Sequence, residues 1–216
     1  MIVILSAVRT AMGSFQGVLS PFTTPELGAV VVREAVQLSG LQPAQVDEVI
    51  LGCVLPAGVK QAPARQAMRQ AGLPDSTGAT TINKICGSGM KAVMQAADAI
   101  KAGSAEIVVA GGMESMSNAP YILDKARAGY RMGHGKVTDH MFQEGLEDAE
   151  TGLSMGILAQ EMADKKGYTR EQQDAFAINS LNKAVAAING GFFKAEIVPV
   201  TVSTRKGDIV VDTDEQ

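Results

Sequence analysis

The sequence predicts an α/β fold in which helices cover a largely parallel β-sheet. Strand-like and helix-like segments alternate along the first half of the 216-residue chain. Several of the strand-like segments are continuous apolar runs, which is typical of strands buried on both faces by crossover helices. A chain of this length can bury roughly 70% of the surface that its unfolded form exposes, so a substantial core is expected.

The first half contains four predicted strands and three predicted helices in alternation. Thr23 and Glu26 have the spacing of a capping box and mark the clearest helix start, and Gly40 is a suitable end for that helix. Apolar, β-branched runs bounded by glycines predict the strands. The predicted order is strand 2–8, helix 23–40, strand 48–54, helix 63–71, strand 79–85, helix 87–100 and strand 107–112.

The second half has fewer clear elements. Residues 116–150 are rich in Met, Gly, Asp and His and show little periodicity. An irregular segment of that length within a domain is usually either functional or contains elements that the pattern fails to predict. A second capping box at Thr169 and Gln172 predicts a helix that runs to about Asn189. A predicted β-hairpin follows, formed by residues 197–202 and 208–212.

Composition excludes several classes of protein. The formal net charge of −4 argues against nucleic-acid binding, which requires a basic face. No apolar stretch approaches the roughly 20 residues of a membrane span, and the run after Met1 is too short for a secretory signal. Two cysteines in apolar contexts suit a reducing compartment. We therefore expect a soluble, cytoplasmic protein with no metal site and no covalently bound cofactor.

Cys86 is the strongest candidate for chemistry. It stands between a predicted strand and a predicted helix, so its thiol would lie at a helix N-terminus, an environment that favours the thiolate. Gly87 and Gly89 remove side chains from the first turn, which would let a substrate carbonyl approach backbone donors. From spacing alone, a small core residue is the more common role of such a cysteine. Cys53 lacks this context and is predicted to be a core residue.

Several motifs resemble those of the thiolase family. The sequence NKICGSGMKA, from Asn83, resembles the motif of the thiolase acyl-enzyme cysteine, and VAGGMESMS, from Val109, resembles the strand and loop that follow it. The match extends over essentially the whole chain, in order and without large gaps. It also includes AVRTAMGSF from Ala7, LGCVLPAG from Leu51, APARQ from Ala62, DAFA from Asp174, EIVP from Glu196 and RKGD from Arg205.

The resemblance implies a layered α-β-α-β-α fold and a specific reaction. A thiolase joins or splits 3-ketoacyl-CoA: its cysteine takes an acyl group from a coenzyme A thioester and passes it to the α-carbon of a second thioester. Cys86 would be this nucleophile, with acyl-CoA as substrate. Residues 1–116 would form the N-terminal α/β domain. Residues 117–216 would form a loop domain that covers coenzyme A, together with return strands.

The resemblance also implies substrate contacts. The segment from Gly145 and the pair Met155-Gly156 match segments that line the pantetheine and acyl pocket in the family, so Leu146 and Met155 are candidate contacts. Ser154 stands where close relatives commonly have His, and this difference bears on how pantetheine or the acyl group is recognised.

Residues 130–141 resemble the tetramerisation loop of the short-chain, biosynthetic thiolases more than the long-chain degradative ones. The resemblance therefore implies a short-chain substrate and a homo-oligomer, either a dimer or a tetramer. His134 and His140 lie in this segment, outside the family's Gly-His-Pro context, and we assign them surface or interface roles.

Thiolases are nearly twice this length. Their second half supplies an Asn-Glu-Ala-Phe segment, a Gly-His-Pro histidine and a second cysteine that serves as acid and base, and none of these occurs in the 216 residues. We therefore expect the chain alone to lack turnover and to need the missing C-terminal half, or another copy, to cover its apolar faces. One alternative is a non-catalytic acyl-CoA-binding or assembly fragment. Another, a relative of the ketoacyl or hydroxymethylglutaryl-CoA synthases, fits the flanking motifs poorly.

Overall fold

The computed structural model describes residues 1–215. Within them the chain forms five α-helices: α1 (Thr24–Ser39), α2 (Pro63–Gln70), α3 (Ser88–Ala102), α4 (Met155–Lys166) and α5 (Arg170–Asn189). It also forms nine β-strands: β1 (Arg9–Thr10), β2 (Glu48–Gly52), β3 (Gly78–Ile82), β4 (Val108–Gly112), β5 (Tyr121–Ile122), β6 (Thr138–Asp139), β7 (Ile197–Val198), β8 (Val200–Thr204) and β9 (Gly207–Val211). None of these helices is long and apolar enough to cross a membrane.

The central sheet consists of three parallel strands in the order β3–β2–β4. Gly52 at the end of β2 lies opposite Ile82 of β3 and Gly112 of β4. All three strands therefore finish at one edge of the sheet, which is where open parallel sheets place their functional loops. The predicted alternation of strands and helices over this region is confirmed, with boundaries that differ by a few residues.

Helices α1 and α2 cover one face of the sheet, and α3 covers the other. Val49 and Leu51 of β2 pack with Val32 of α1 and Met68 of α2 in the main core, where each is at most 2% exposed. The side chain of Ile50 alternates to the opposite face, towards α3, and is also buried. Burial on both faces explains the continuous apolar run of β2.

Both predicted capping boxes are confirmed. At the start of α1, the Thr23 N–H donates to Glu26 Oε2 at 2.7 Å. At the start of α5, the Thr169 N–H donates to Gln172 Oε1 at 2.9 Å, and Thr169 Oγ1 accepts from the Gln172 N–H at 3.3 Å. Gly40 ends α1 with a left-handed φ of 73°, the conformation that favours glycine at this position.

The predicted strand over residues 2–8 is wrong in this structure. Only Arg9 and Thr10 form β1, which pairs in parallel with β7. The preceding apolar run is exposed, and Ile4 is 81% exposed. A strand forms where a neighbour can accept and donate its backbone hydrogen bonds. No strand lies beside this run within residues 1–215.

The region after residue 116 is more regular than its sequence predicts. Strands β5 and β6 pair in antiparallel fashion, and Phe142–Leu146 forms one π-helical turn. Helix α4 is not predicted because none of its side chains is buried within the described residues, so no apolar face marks it. The helix begins after Ser154 at the N-cap and ends at Gly167, the C-cap residue, which has a φ of 71°.

The predicted hairpin is confirmed as β8 and β9, with Val202 opposite Ile209. Its first strand is shorter than predicted, because Pro199 has no N–H to donate and separates β7 from β8. Valines of the hairpin pack with Ala11 and Leu19 in a second core. The hairpin therefore returns to the segment that follows β1.

A bidentate ion pair connects the segment after β9 to β1. The guanidinium of Arg9 donates to the carboxylate of Asp214 at 2.6 and 2.9 Å, and the Met12 N–H donates to the same carboxylate at 2.8 Å. The Asp214 side chain is only 2% exposed. Its hydrogen bonds from Arg9 lower the pKa of Asp214. This ion pair therefore holds the segment after β9 against β1, although the two residues lie 205 positions apart in the sequence.

Candidate active site

Cys86 lies in the turn between β3 and α3, as the sequence predicts, and its side chain is exposed. Ile85, immediately before it, has a φ of 49°, a conformation that β-branched residues rarely adopt. The turn closes through two backbone bonds: Gly87 N–H donates to Lys84 O at 3.1 Å, and Ser88 N–H donates to Ile85 O at 3.0 Å. The chain thus passes from strand to helix abruptly and presents the thiol at the first turn of α3.

Two polar side chains hold this strained turn. The Ser88 hydroxyl is buried; it accepts from the Lys84 N–H at 2.8 Å and donates to Ile85 O at 2.6 Å. Asn83 Oδ1 accepts from the Ile85 N–H at 2.8 Å. A left-handed residue other than glycine costs about 1–2 kcal/mol, which these bonds offset. Strain kept in place by surrounding contacts is a common feature of functional sites.

Glycines let the N-terminal end of α3 lie directly against the edge where the strands finish. A Cβ atom at Gly52 would lie 2.5 Å from Ser88 Cβ, and one at Gly112 would lie 3.3 Å from Gly89 Cα. The first turn of α3 therefore contacts the ends of both β2 and β4 through its backbone. The first N–H groups of a helix lack intrahelical partners, and in α3 they begin two residues after Cys86.

The loop after β2 is organised by one carboxylate. Glu114 follows β4 and accepts hydrogen bonds from the Val54 N–H at 2.7 Å and the Leu55 N–H at 3.2 Å. The thiol of Cys53 donates to the same carboxylate at 3.7 Å. Sequence reasoning does not identify Glu114, because the groups that it binds lie about 60 residues earlier in the chain.

Cys53 is a core residue, as predicted. It is 1% exposed and belongs to the cluster between the sheet and helices α1 and α2. Burial, together with the neighbouring Glu114 carboxylate, raises the pKa of the Cys53 thiol to about 12. This cysteine is therefore unsuited to act as a nucleophile near neutral pH.

We expect iodoacetamide at about pH 8 to label Cys86 and to spare Cys53 in the folded chain, because only the thiolate reacts. Peptide mass spectrometry after quenching measures the label at each site. In denaturant both cysteines should react, which serves as the control. Equal labelling of the two cysteines in the folded chain would contradict this reading of the site.

The structure brings together the three residues predicted to contact substrate. Glu147 forms an isolated antiparallel bridge with Ser154, which places Leu146 beside the start of α4. Leu146 and Ser154 are half-buried and Met155 is 43% exposed. All three belong to a segment separate from Cys86, and their substrate contacts stay a prediction.

Two contacts connect this segment to the loop that follows β2. A Cβ atom at Gly145 would lie 3.6 Å from Leu55 Cδ2, so the two residues are adjacent. Further along the same loop, the Ala57 N–H donates to Nε2 of His140 at 3.4 Å. The loop at 53–57 therefore lies between the Cys86 turn and the predicted substrate-contacting segment.

The surface or interface role assigned to His140 is wrong, because the residue is buried within the chain, whereas His134 is exposed as expected. His140 is 1% exposed, and its Nδ1 lies 3.6 Å from Glu144 Oε1. It is buried because β6 pairs with β5 and carries it under the loop at Ala57. His134 lies on the surface and is one of nine residues between 124 and 136 that line an open cavity of about 770 Å³.

Comparison with known proteins identifies the family. The model of the thiolase N-terminal domain matches residues 2–216. The chain belongs to the thiolase family.

Curated thiolases of high identity carry one description. The chain is 55% identical over 216 residues to the acetyl-CoA acetyltransferase of Pseudomonas aeruginosa and 55% identical over 215 residues to that of Cupriavidus necator. It is 52% identical over 214 residues to that of Escherichia coli. These alignments cover 99–100% of this chain and 54–55% of those proteins.

The fold agrees with a solved thiolase. The crystal structure of the Bacillus anthracis acetyl-CoA acetyltransferase matches with a TM-score of 0.95 at 41% identity. The match covers 99% of this chain and 54% of that one. The predicted thiolase-like α/β fold is therefore confirmed, and the chain spans about half the length of the relatives that it matches.

Two residues that shape the thiolase turn lie inside motifs that carry the resemblance. Ser88 belongs to the NKICGSGMKA motif and Glu114 to the VAGGMESMS motif. The motifs mark both positions as part of the family pattern, but the hydrogen bonds that define what these side chains do are visible only in the structure.

Proposed function

We propose that this chain provides the acyl-accepting part of a short-chain thiolase, which converts two molecules of acetyl-CoA into acetoacetyl-CoA and CoA, or catalyses the reverse. The observation that carries the proposal is the exposed Cys86 thiol, held on a strained turn at the start of α3. The descriptions of the relatives as acetyl-CoA acetyltransferases support the choice of acyl group.

The first step is the transfer of an acetyl group to sulfur. The Cys86 thiolate attacks the thioester carbonyl carbon of acetyl-CoA, and the C–S bond to coenzyme A breaks with release of the CoA thiolate. Negative charge develops on the carbonyl oxygen during the attack. The backbone N–H of Cys86, at the N-terminal end of α3, is our candidate for one donor to that oxygen.

The second step forms or breaks the carbon–carbon bond and needs a base for the α-proton of the second acetyl-CoA. Cys53 does not fit this role, because its pKa is about 12 and its side chain is buried. The thiolase resemblance assigns the base and the histidine that activates the nucleophile to segments outside these 216 residues. We expect the 216-residue chain alone to accept an acetyl group but not to turn over.

Coenzyme A thioesters are substrates in this proposal rather than resident cofactors. Leu146 and Met155 would contact the pantetheine or acyl portion, and Ser154 would supply a hydroxyl where close relatives commonly have an imidazole. The bridge between Glu147 and Ser154 supports this grouping, because it holds the two contributing segments side by side.

The test is acetylation of the purified chain by acetyl-CoA, followed by intact-mass measurement and peptide mapping. We expect one acetyl group, located on Cys86, and none in the Cys86→Ala variant. The matched control is Cys53→Ala, which removes the other cysteine and should still be acetylated. The reaction is run at about pH 8, where a thiolate forms without an activating histidine. Absence of an adduct there, in a folded chain whose Cys86 reacts with iodoacetamide, would overturn the proposal.

A second candidate function is a non-catalytic acyl-CoA-binding or assembly fragment. It is favoured by apolar side chains that stand exposed on two helices. They include Met90, Val93 and Met94 on α3 and Phe176 and Leu181 on α5. Tight binding of acetyl-CoA without an adduct would favour this function. Formation of a dimer or tetramer without acetylation would also favour it, as would association with a C-terminal thiolase half without acetylation.

A further inference from the structure

Glu114 occupies a position that the proposed chemistry does not yet use. Its carboxylate lies beyond the end of β4 and accepts from three successive residues of the loop after β2: the Cys53 thiol and the N–H groups of Val54 and Leu55. A carboxylate can accept at both oxygens without offering a donor. It therefore satisfies three convergent donors that a neutral amide could not satisfy together.

The loop held by Glu114 bonds to the Cys86 turn through Asn83, next to a backbone bond from the Cys53 N–H to Ile82 O at 3.0 Å at the end of β3. Val54 O accepts a hydrogen bond from Asn83 Nδ2 at 3.4 Å, and Asn83 Oδ1 accepts from the Ile85 N–H at 2.8 Å. Asn83 thus has its amide group placed by the loop on one side and fixes Ile85 on the other. Ile85 is the residue with the left-handed φ of 49° directly before the nucleophile.

We infer that Glu114 is a positioning residue, which fixes the Cys86 turn by holding the loop at Val54 against Asn83. The chemical consequence rests on the proposed function, because a fixed turn matters for acetyl transfer only if Cys86 is the acceptor. The effect of Glu114 on the geometry of the turn does not rest on the proposed function, and it can be measured separately.

The matched control is Asp47. Its carboxylate also accepts two backbone N–H groups, from Glu106 at 2.7 Å and Ile107 at 2.9 Å, and it also connects β2 with β4. It lies at the opposite, amino-terminal end of these strands, away from Cys86. A loss of general stability at the connection between β2 and β4 should appear in Asp47→Asn as well as in Glu114→Gln, whereas a loss of turn geometry should appear only in the latter.

Hydrogen–deuterium exchange of the whole 216-residue chain tests the positional claim. In Glu114→Gln, we expect amide exchange in residues 83–88 to become roughly tenfold faster, the size of effect that loss of one partly buried charge-assisted bond produces. Exchange at 54–55 should also accelerate. Asp47→Asn should leave both segments as in the wild type. Unchanged exchange in residues 83–88 of a folded Glu114→Gln variant would overturn the inference.

Asn83→Ala serves as the second variant, in case Glu114→Gln does not fold. It should accelerate exchange in residues 83–88 while 54–55 stay protected by Glu114. Its Cys86 should also accept acetyl groups from acetyl-CoA roughly tenfold more slowly, and Glu114→Gln should add little to that effect in the double variant. Additive effects of the two substitutions would contradict a connection through Asn83.

The two measurements separate the two proposals. If the wild-type chain is not acetylated while exchange follows the expected pattern, the function falls and the positioning role stands. If acetylation proceeds in Glu114→Gln at the wild-type rate and exchange in residues 83–88 is unchanged, the positioning role falls and the function stands.

Discussion

Substitution of Gly52 by Ala is expected to destabilise the folded chain by about 3 kcal/mol and to slow acetylation of Cys86 by about a hundredfold. The new Cβ would lie 2.5 Å from Ser88 Cβ and 2.7 Å from the Ser88 carbonyl carbon, so the backbone at the start of α3 would have to move. Ser88 holds the Cys86 turn, and the displacement would reach the thiol. Urea denaturation and the rate of acetyl adduct formation measure the two effects.

Gly111→Ala is the matched control for this substitution. Gly111 lies in β4 opposite Leu51, one residue before the end of the strand, and a Cβ there would be 3.9 Å from Leu51 Cδ2, an ordinary contact. Its stability should stay within about 1 kcal/mol of the wild type. Equal stabilities of the two variants would show that α3 does not pack closely against β2.

Substitution of Asp214 by Asn is expected to lower the free energy of unfolding by about 2 kcal/mol at neutral pH, since the half-buried Arg9 guanidinium loses its bidentate partner and keeps only its pair with Glu196. The control is Asp174→Asn, which breaks an exposed pair with Arg170. That change should cost no more than about 0.5 kcal/mol. Urea denaturation of both variants against the wild type measures the difference.

The effect of Asp214 should depend on pH in a defined direction. Its pKa in the folded chain is lowered by Arg9, so the pair contributes fully above the ordinary aspartate pKa of about 3.9 and loses its contribution as pH falls through the lower folded value. The stability gap between wild type and Asp214→Asn should be constant from about pH 7 to about pH 5 and close below about pH 4. A stability difference that grows as the pH falls would contradict the assignment of an ionised Asp214 carboxylate that pairs with Arg9.

Local patterns predicted the elements that are organised locally. The capping boxes at Thr23 and Thr169 and the left-handed Gly40 are confirmed, because the groups that form them lie within a few residues of one another. The apolar run of β2 was predictive because that strand is buried on both faces. The local pattern also predicted that Cys86 lies at a junction between a strand and a helix, which is confirmed. Its role as nucleophile comes from the thiolase resemblance and stays a prediction.

Other elements depend on partners that a local pattern does not reveal. The apolar run at 2–8 has the composition of a strand and does not form one, since nothing within residues 1–215 pairs with it. Helix α4 forms without a buried face, so no apolar period marked it. His140 was assigned a surface or interface role because it lies in the segment that resembles the tetramerisation loop. Pairing of β6 with β5 buries it instead.

The sequence by itself determined the α/β class, because that class depends on residue type and near-neighbour spacing. It also determined the family resemblance and, through the matching motif, the candidate nucleophile. Only the tertiary structure decided how the Cys86 turn is held, through Gly52 against Ser88 and through Glu114, Val54 and Asn83. Hydrogen bonds and close contacts act over a few ångströms in space, whatever the distance along the chain, and the groups that make them here come from three separate segments of the sequence.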